Sequence, residues 1–365
     1  MTFEGLTALP KIPMLFGIPL KWVSLATLVI QNSVFIIILT YSKRESPDAT
    51  YLNSTAVLFS ELIKILISLA MIVYDFNKSH PYKDNTEMME NVRMVIKDEI
   101  LGYDAFMVAI PALLYTIQNT LQYIAADKLG AAIFQVTSQL KILTTALCSV
   151  FLLKTTLSGR KWRSLVLLLI GVVLVQIQST EHATNEGLSE IKSKSSSSVI
   201  IGLSGTFFVC LSSGLSSVYF EKIIKETAPS LWVRNLQLST ISLLICVIGI
   251  FALDFDAVKE NGLLYGYTAS TWCAILFQAT GGIIVALTLK HADNILKSFA
   301  TSISIIISSV LSIWVFDFYP GLCFILGTIL VIYASIAYNT EHSQPTQPDK
   351  NLNGLAEMQT RTNIE

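Results

Sequence analysis

Ten runs of about twenty apolar residues follow one another along the 365-residue chain. A helix of that length rises far enough to cross the ~30 Å hydrocarbon layer of a bilayer. Lipid offers the backbone no hydrogen bonds, so each run is predicted to satisfy its own as a helix. The spans are placed at 20–41, 53–74, 104–125, 131–153, 161–178, 199–220, 231–253, 268–289, 295–317 and 319–338. Apolar residues make up 52% of the chain and charged residues 14%, and no connection is long enough for a soluble domain. This composition predicts an all-α polytopic membrane protein whose first partner is the lipid bilayer. Lys43 and Arg44 follow the first run with no small-residue cleavage site, so that run is expected to stay as a signal anchor.

Sidedness follows from the basic residues of the short connections. With the N-terminus in the cytosol, inside segments carry fifteen Lys and Arg and outside loops carry six. Both termini are therefore predicted to be cytosolic. The chain divides into a cytosolic N-terminal segment (1–19), a first group of five spans (20–178), a lumenal linker (179–198), a second group of five (199–338) and a cytosolic tail (339–365). The linker contains SKSSSS and the tail has no apolar period, so both are expected to be flexible. Asn53-Ser54-Thr55 is a glycosylation sequon, but it abuts the second span and is expected to stay unmodified.

Four basic residues remain within or at the edge of spans: Lys64, Lys141, Arg234 and Lys297. A charge at mid-membrane costs about 2.5–3.5 kcal/mol on insertion scales, so each needs a cavity or a partner. Lys141 and Lys297 belong to a repeat. Leu140, Lys141, Gly171, Leu174 and Val175 recur as Leu296, Lys297, Gly327, Leu330 and Val331, each 156 residues later, and Gln122 recurs as Gln278. The fourth span thereby maps on the ninth, and ten spans become five plus five. Because five is odd, the second copy enters the membrane in the opposite sense, as in transporters built from inverted repeats. Both lysines are then expected to face one midplane cavity.

Other polar residues cluster near them. The third span contains YTIQNTLQY, where Tyr115 and Asn119 share a helical face beside Gln118 and Gln122. In the fourth, Phe134, Ser138 and Lys141 share a face flanked by Gln135 and Gln139. Such residues either bond neighbouring helices or line a cavity that reads a ring. Asn235 and Ser239, four apart in the seventh span, offer the same pair of alternatives. Glu61 and Lys64 stand one turn apart and are read as a structural ion pair. Arg234 is expected to snorkel to the cytosolic interface. Asp293 is either a partner for Lys297 or a helix N-cap. Gly281 and Gly282 are read as a close helix approach.

The five cysteines lack paired spacing and the four histidines stand singly, so neither a disulfide framework nor a metal site is expected. No Walker, HExxH or GxSxG motif and no paired acid is present, so no catalytic residue, cofactor or nucleic-acid partner is assigned. Two cavity lysines with amides and an aromatic suit a ligand joining phosphate to a planar base, and a nucleoside diphosphate fits.

At YTIQNTLQYIA, FQVTSQLKILTTAL, VYFEKIIK, SLWVRNLQLS and HADNILKSFATSISII, in that order, the sequence resembles the Golgi nucleotide-sugar transporters, in particular the branch for CMP-sialic acid, UDP-galactose and UDP-N-acetylglucosamine. The resemblance spans about residues 17–338. It implies a ten-helix drug/metabolite-transporter fold in the Golgi membrane, exchanging lumenal nucleoside monophosphate for a cytosolic nucleotide sugar. It further implies that Tyr115, Asn119 and Phe134 lie at the nucleotide, that Lys141 and Lys297 bind phosphate, and that Asn235 lies beside base and ribose. Ser138 and Thr120 stand where relatives commonly carry tyrosine and asparagine. Ser239 stands where the sialic acid branch resembles a tyrosine, which favours uridine over cytidine. WVRNLQLS, YGYTASTW and GGIIVAL look most like UDP-galactose transporters. The expected partners are a UDP-sugar and UMP, with a homodimer as an open expectation. The alternatives are UDP-N-acetylglucosamine or CMP-sialic acid transport on the same fold, or a proton-coupled exporter of small metabolites, which would want a titrating cavity carboxylate.

Overall fold

The computed structural model describes residues 14–15, 17–45, 51–79, 105–129, 134, 136–179, 196–227, 230–316 and 321–340. Most of the linker, the tail beyond Thr340, Gln135 and the side chain of Asn119 lie outside the described residues. A two-residue hairpin, β1 (Met14–Leu15) with β2 (Ile18–Pro19), precedes the helices, and Gly17 at φ 80° makes its turn. The helices are α1 (Leu20–Glu45), α2 (Asn53–Ser79), α3 (Ala105–Leu129), α4 (Lys141–Leu152), α5 (Gly159–Ser179), α6 (Ser196–Glu226), α7 (Leu231–Gly249), α8 (Phe255–Asn261), α9 (Ala269–His291), α10 (Asn294–Phe316) and α11 (Leu322–Thr340).

Among the described residues, seven helical stretches are long and apolar enough to cross a membrane: α1, α2, α6, α7 running on through α8, α9, α10 and α11. The third to fifth predicted spans fall on α3, α4 and α5. The outward faces remain apolar: Phe151, Leu253, Leu322 and Ile200 are all at least 66% exposed. A surface like this is stable against lipid and would be costly in water.

Two boundaries differ from the sequence reading. The fourth span is not one regular helix; a 3-10 turn at Ser138–Leu140 precedes α4, so Lys141 stands at the start of a helix instead of in its middle. The seventh continues past its expected end through a π turn at Ile250–Asp254 into α8, stopping at Gly262 with φ 87°. Local chemistry sets other ends as expected. Ser230 accepts from Val233 N to cap α7, and Thr268 with Thr271 forms a capping box for α9.

The packing has a regular plan. α6 lies mainly against α3 and α4, and α1 lies mainly against α9 and α10. α2 packs on α7, and α5 packs on α11. The largest buried cluster joins α4, α5, α10, α11 and the start of α1 through residues such as Leu28, Ile142, Leu168, Val175, Phe299 and Val331. Between α5 and α11 the backbones touch. A Cβ built on Gly171 would lie 2.9 Å from Gly327 O and from Val331 Cγ2, and one built on Gly327 would lie 2.6 Å from Gly171 O and 2.9 Å from Val175 Cγ2. The two repeat-related glycines are thus each other's neighbours. Gly281 and Gly282 also mark a close approach, with Gln31 and Lys64 lying against them.

Candidate functional site

A small cleft opens between α3, the turn before α4, and α6. Its walls are Gln118 and Gln122 from α3, Phe134, Ser138 and Lys141 from the α4 side, and Val209, Cys210 and Ser213 from α6. The 3-10 turn matters here. It brings Ser138 and Lys141 to the cleft wall. α6 is drawn against this turn by Gly214, whose Cβ would meet the Thr144 carbonyl at 3.1 Å, and by Thr144 Oγ1, which donates to Cys210 O at 2.8 Å. Cys210 Sγ in turn donates to Ser138 O at 3.4 Å.

Lys297, in the first turn of α10, lies within electrostatic reach of Lys141, so the two repeat-related lysines share one region. Tyr115, one turn before Gln118, hydrogen-bonds Ser216 of α6. Gln118 Oε1 is buried without a hydrogen-bond partner among the described residues, as is Nδ2 of Asn235. A buried polar atom left unpaired costs about 1–3 kcal/mol, so both are groups a ligand would satisfy.

Phe134 and Lys141 are therefore brought together with Gln118, Gln122 and Ser138, and Lys297 approaches them. Asn235 and Ser239 are buried on one face of α7 and do not line this cleft. Asn119 Cα sits on α3 between Gln118 and Gln122, its side chain outside the described residues.

Glu61 and Lys64 form the expected ion pair, Nζ to Oε1 2.7 Å, packed against Gly282 of α9. Asp293 is the N-cap of α10, its Oδ1 accepting from Leu296 N at 2.8 Å. Two readings are corrected. Arg234 does not snorkel: it is fully buried, with Nη1 donating to Gln237 Oε1 at 2.9 Å and Nε to Thr227 Oγ1 at 3.2 Å. Thr227, just past the end of α6, and Gln237 take the place of the water that snorkelling would have sought.

The second correction is Glu221. The sequence reading finds no carboxylate near the lysines other than Asp293, yet Glu221 on α6 is 1% exposed and lies within electrostatic reach of Lys297. Ser217, Glu221 and Lys225, spaced four apart, form a polar stripe that the helical period would have revealed. Cys210 and Ser213 of α6 were likewise missed as cleft residues; small and polar, they resemble ordinary helix-contact residues.

A profile of the nucleotide-sugar transporter family matches residues 17–339. The UDP-galactose transporter of Schizosaccharomyces pombe is 46% identical over 333 residues, 90% of each chain. The human UDP-N-acetylglucosamine transporter is 41% identical over 337 residues, 91% of this chain and 98% of that one. A UDP-galactose/UDP-N-acetylglucosamine transporter of Caenorhabditis elegans is 37% identical over 327 residues, 89% of this chain and 83% of that one. One solved crystal structure shares the fold at a TM-score of 0.61 and 10% identity, covering 89% of this chain and 99% of its own. Profile and relatives cover the cleft, both lysines and the glycine contact, and the chain belongs to the nucleotide-sugar transporter family.

Proposed function

We propose that this chain exchanges cytosolic UDP-galactose for lumenal UMP across the Golgi membrane by alternating access. The observation that carries the proposal is the approach of Lys141 and Lys297 beside a cleft lined by two glutamines and a phenylalanine. The lysines would hold phosphate, and the amides and aromatic would read the base. UDP-galactose is put first because the 46%-identical relative bears that name, and UDP-N-acetylglucosamine is the second reading because several relatives at 41% bear it. Proton coupling is less well supported, since Glu61 is paired with Lys64 and Glu221 with Lys225 and Asn294.

The architecture that goes with this function is ten spans in two inverted groups of five, α1–α5 and α6–α11, with α7 and α8 as one span. The packing supports it. Exchanging each helix of the first group with its counterpart in the second turns the α6 contacts with α3 and α4 into the α1 contacts with α9 and α10, and leaves the α2–α7 and α5–α11 pairs unchanged. Midplane binding between such groups is what a carrier with alternating access requires.

The test is exchange in liposomes. Loading UMP should accelerate UDP-galactose entry, because an occupied carrier need not return empty, and CMP should do much less. Absence of acceleration by UMP would exclude the exchange, and equal acceleration by CMP would move the assignment to a cytidine nucleotide.

A further inference from the structure

Asn294, the first residue of α10, is fully buried and held entirely by α6 on its donor side. Its Nδ2 donates to Ser217 O at 2.7 Å and to Glu221 Oε2 at 2.9 Å, and its backbone N donates to the same oxygen at 3.0 Å. Lys225 Nζ donates to Glu221 Oε1 at 2.6 Å and to Ala292 O at 2.5 Å. Ser217, Glu221 and Lys225 lie on one face of α6, which packs with α3 and α4; Ala292 and Asn294 form the joint of α9 with α10, which pack with α1. The contacts therefore run from one three-helix group to the other. A carboxylate at a helix N-terminus and against a lysine is a strong but reversible tie, because water entering on separation resolvates every member.

The tie sits at one end of the molecule. With the linker before α6 lumenal, the last turn of α6 and the α9–α10 joint are cytosolic. The repeat does not duplicate it: 156 residues before Asn294 stands Ser138, a cleft residue whose carbonyl is taken by Cys210 of its own group. We infer that Glu221, braced by Lys225 and seated on Asn294, is a latch that closes the cytosolic path to the site. Asn294 stands three residues before Lys297 on α10, and Glu221 itself lies within electrostatic reach of that lysine, which connects the latch to the ligand. An anion bound at Lys297 adds negative charge facing Glu221 and loosens the latch, so the loaded carrier opens to the cytosol more readily than the empty one.

This inference rests on the proposed alternating access and sidedness, and its test is separable from the choice of substrate. In full-length protein with the native cysteines replaced by alanine, Ser213→Cys reports access to the cleft through its labelling by an impermeant maleimide from the cytosolic face of sealed vesicles. Glu221→Gln keeps the shape and removes the charge; it should raise the cytosolic labelling rate about tenfold. Apparent affinity should rise for UDP-galactose offered from the cytosolic face and fall for UMP offered from the lumenal face, whereas a merely structural loss would weaken both. Glu221→Asp should label more slowly than Glu221→Gln. Should Glu221→Gln fail to fold, Lys225→Met removes only the brace and should raise labelling by a smaller factor. Cytosolic labelling at the parent rate in the folded variants overturns the latch, even if UMP still accelerates UDP-galactose uptake. Faster labelling without that acceleration keeps the latch and rejects the substrates.

Discussion

Lys141 and Lys297 differ in one respect that bears on ligand binding. Lys297 has Glu221 within electrostatic reach, while the other residues lining the cleft around Lys141 carry no charge. Replacing either with glutamine should weaken UMP binding, since a charge-assisted contact is worth about 1.5–3 kcal/mol, or roughly ten- to a hundredfold in affinity. Lys141→Gln is expected to show the larger loss, because Lys297 already shares its charge with a carboxylate; equilibrium binding of UMP to the purified variants measures both. Arg234→Met should act on stability instead. It removes the charge-assisted hydrogen bonds to Gln237 and Thr227, at a cost of about 1.5–3 kcal/mol, and should lower the melting temperature while leaving UMP affinity within about twofold. The two lysines were legible in the sequence because mid-span charge is rare and both sit in the same repeat. The burial of Glu221 and Arg234 was not. A charge near the end of an apolar run reads as a solvated flank, and what pairs these two comes from elsewhere: Asn294, 73 residues beyond Glu221, and Thr227, just past α6, for Arg234.

Among the elements, α5 and α11 form the contact with least tolerance. A Cβ on either glycine would press into the partner's backbone carbonyl, which no rotamer change relieves. Gly171→Val and Gly327→Val should each destabilise the protein by about 1–3 kcal/mol or more, read as a lower melting temperature in detergent, and the same substitution at Gly159 should be nearly neutral because nothing lies within 4 Å there. Helix existence was legible from run length alone, and the equivalence of these glycines from their shared offset, but their contact was not, since an offset relates positions in two repeats without saying that they touch. The 3-10 turn before α4 was not. FQVTSQLKILTTA is apolar enough to read as one continuous helix, and the interruption is stabilised by contacts with α6 at Thr144, Cys210 and Gly214 that no local pattern carries.

For the whole molecule, the sidedness behind the proposed function has a direct check. Ser196→Cys should react with an impermeant reagent only from the lumen and Ser343→Cys only from the cytosol. Labelling of both from one side would mean that an odd number of spans separates them from the arrangement proposed, and the inverted repeat would fall with it. If the arrangement holds, the glycine contact gains a mechanical meaning. Two helices whose backbones meet at Gly171 and Gly327 leave no side chain in between to be compressed, and parting them would give up close packing that nothing else there replaces. Such a contact can turn but not open, which makes it an axle. A rotation of ~10° about it displaces a helix end ten residues away, ~15 Å along the helix, by ~2.6 Å. A displacement on that scale breaks a hydrogen bond, so a carrier built this way can part at one end while its fulcrum stays closed.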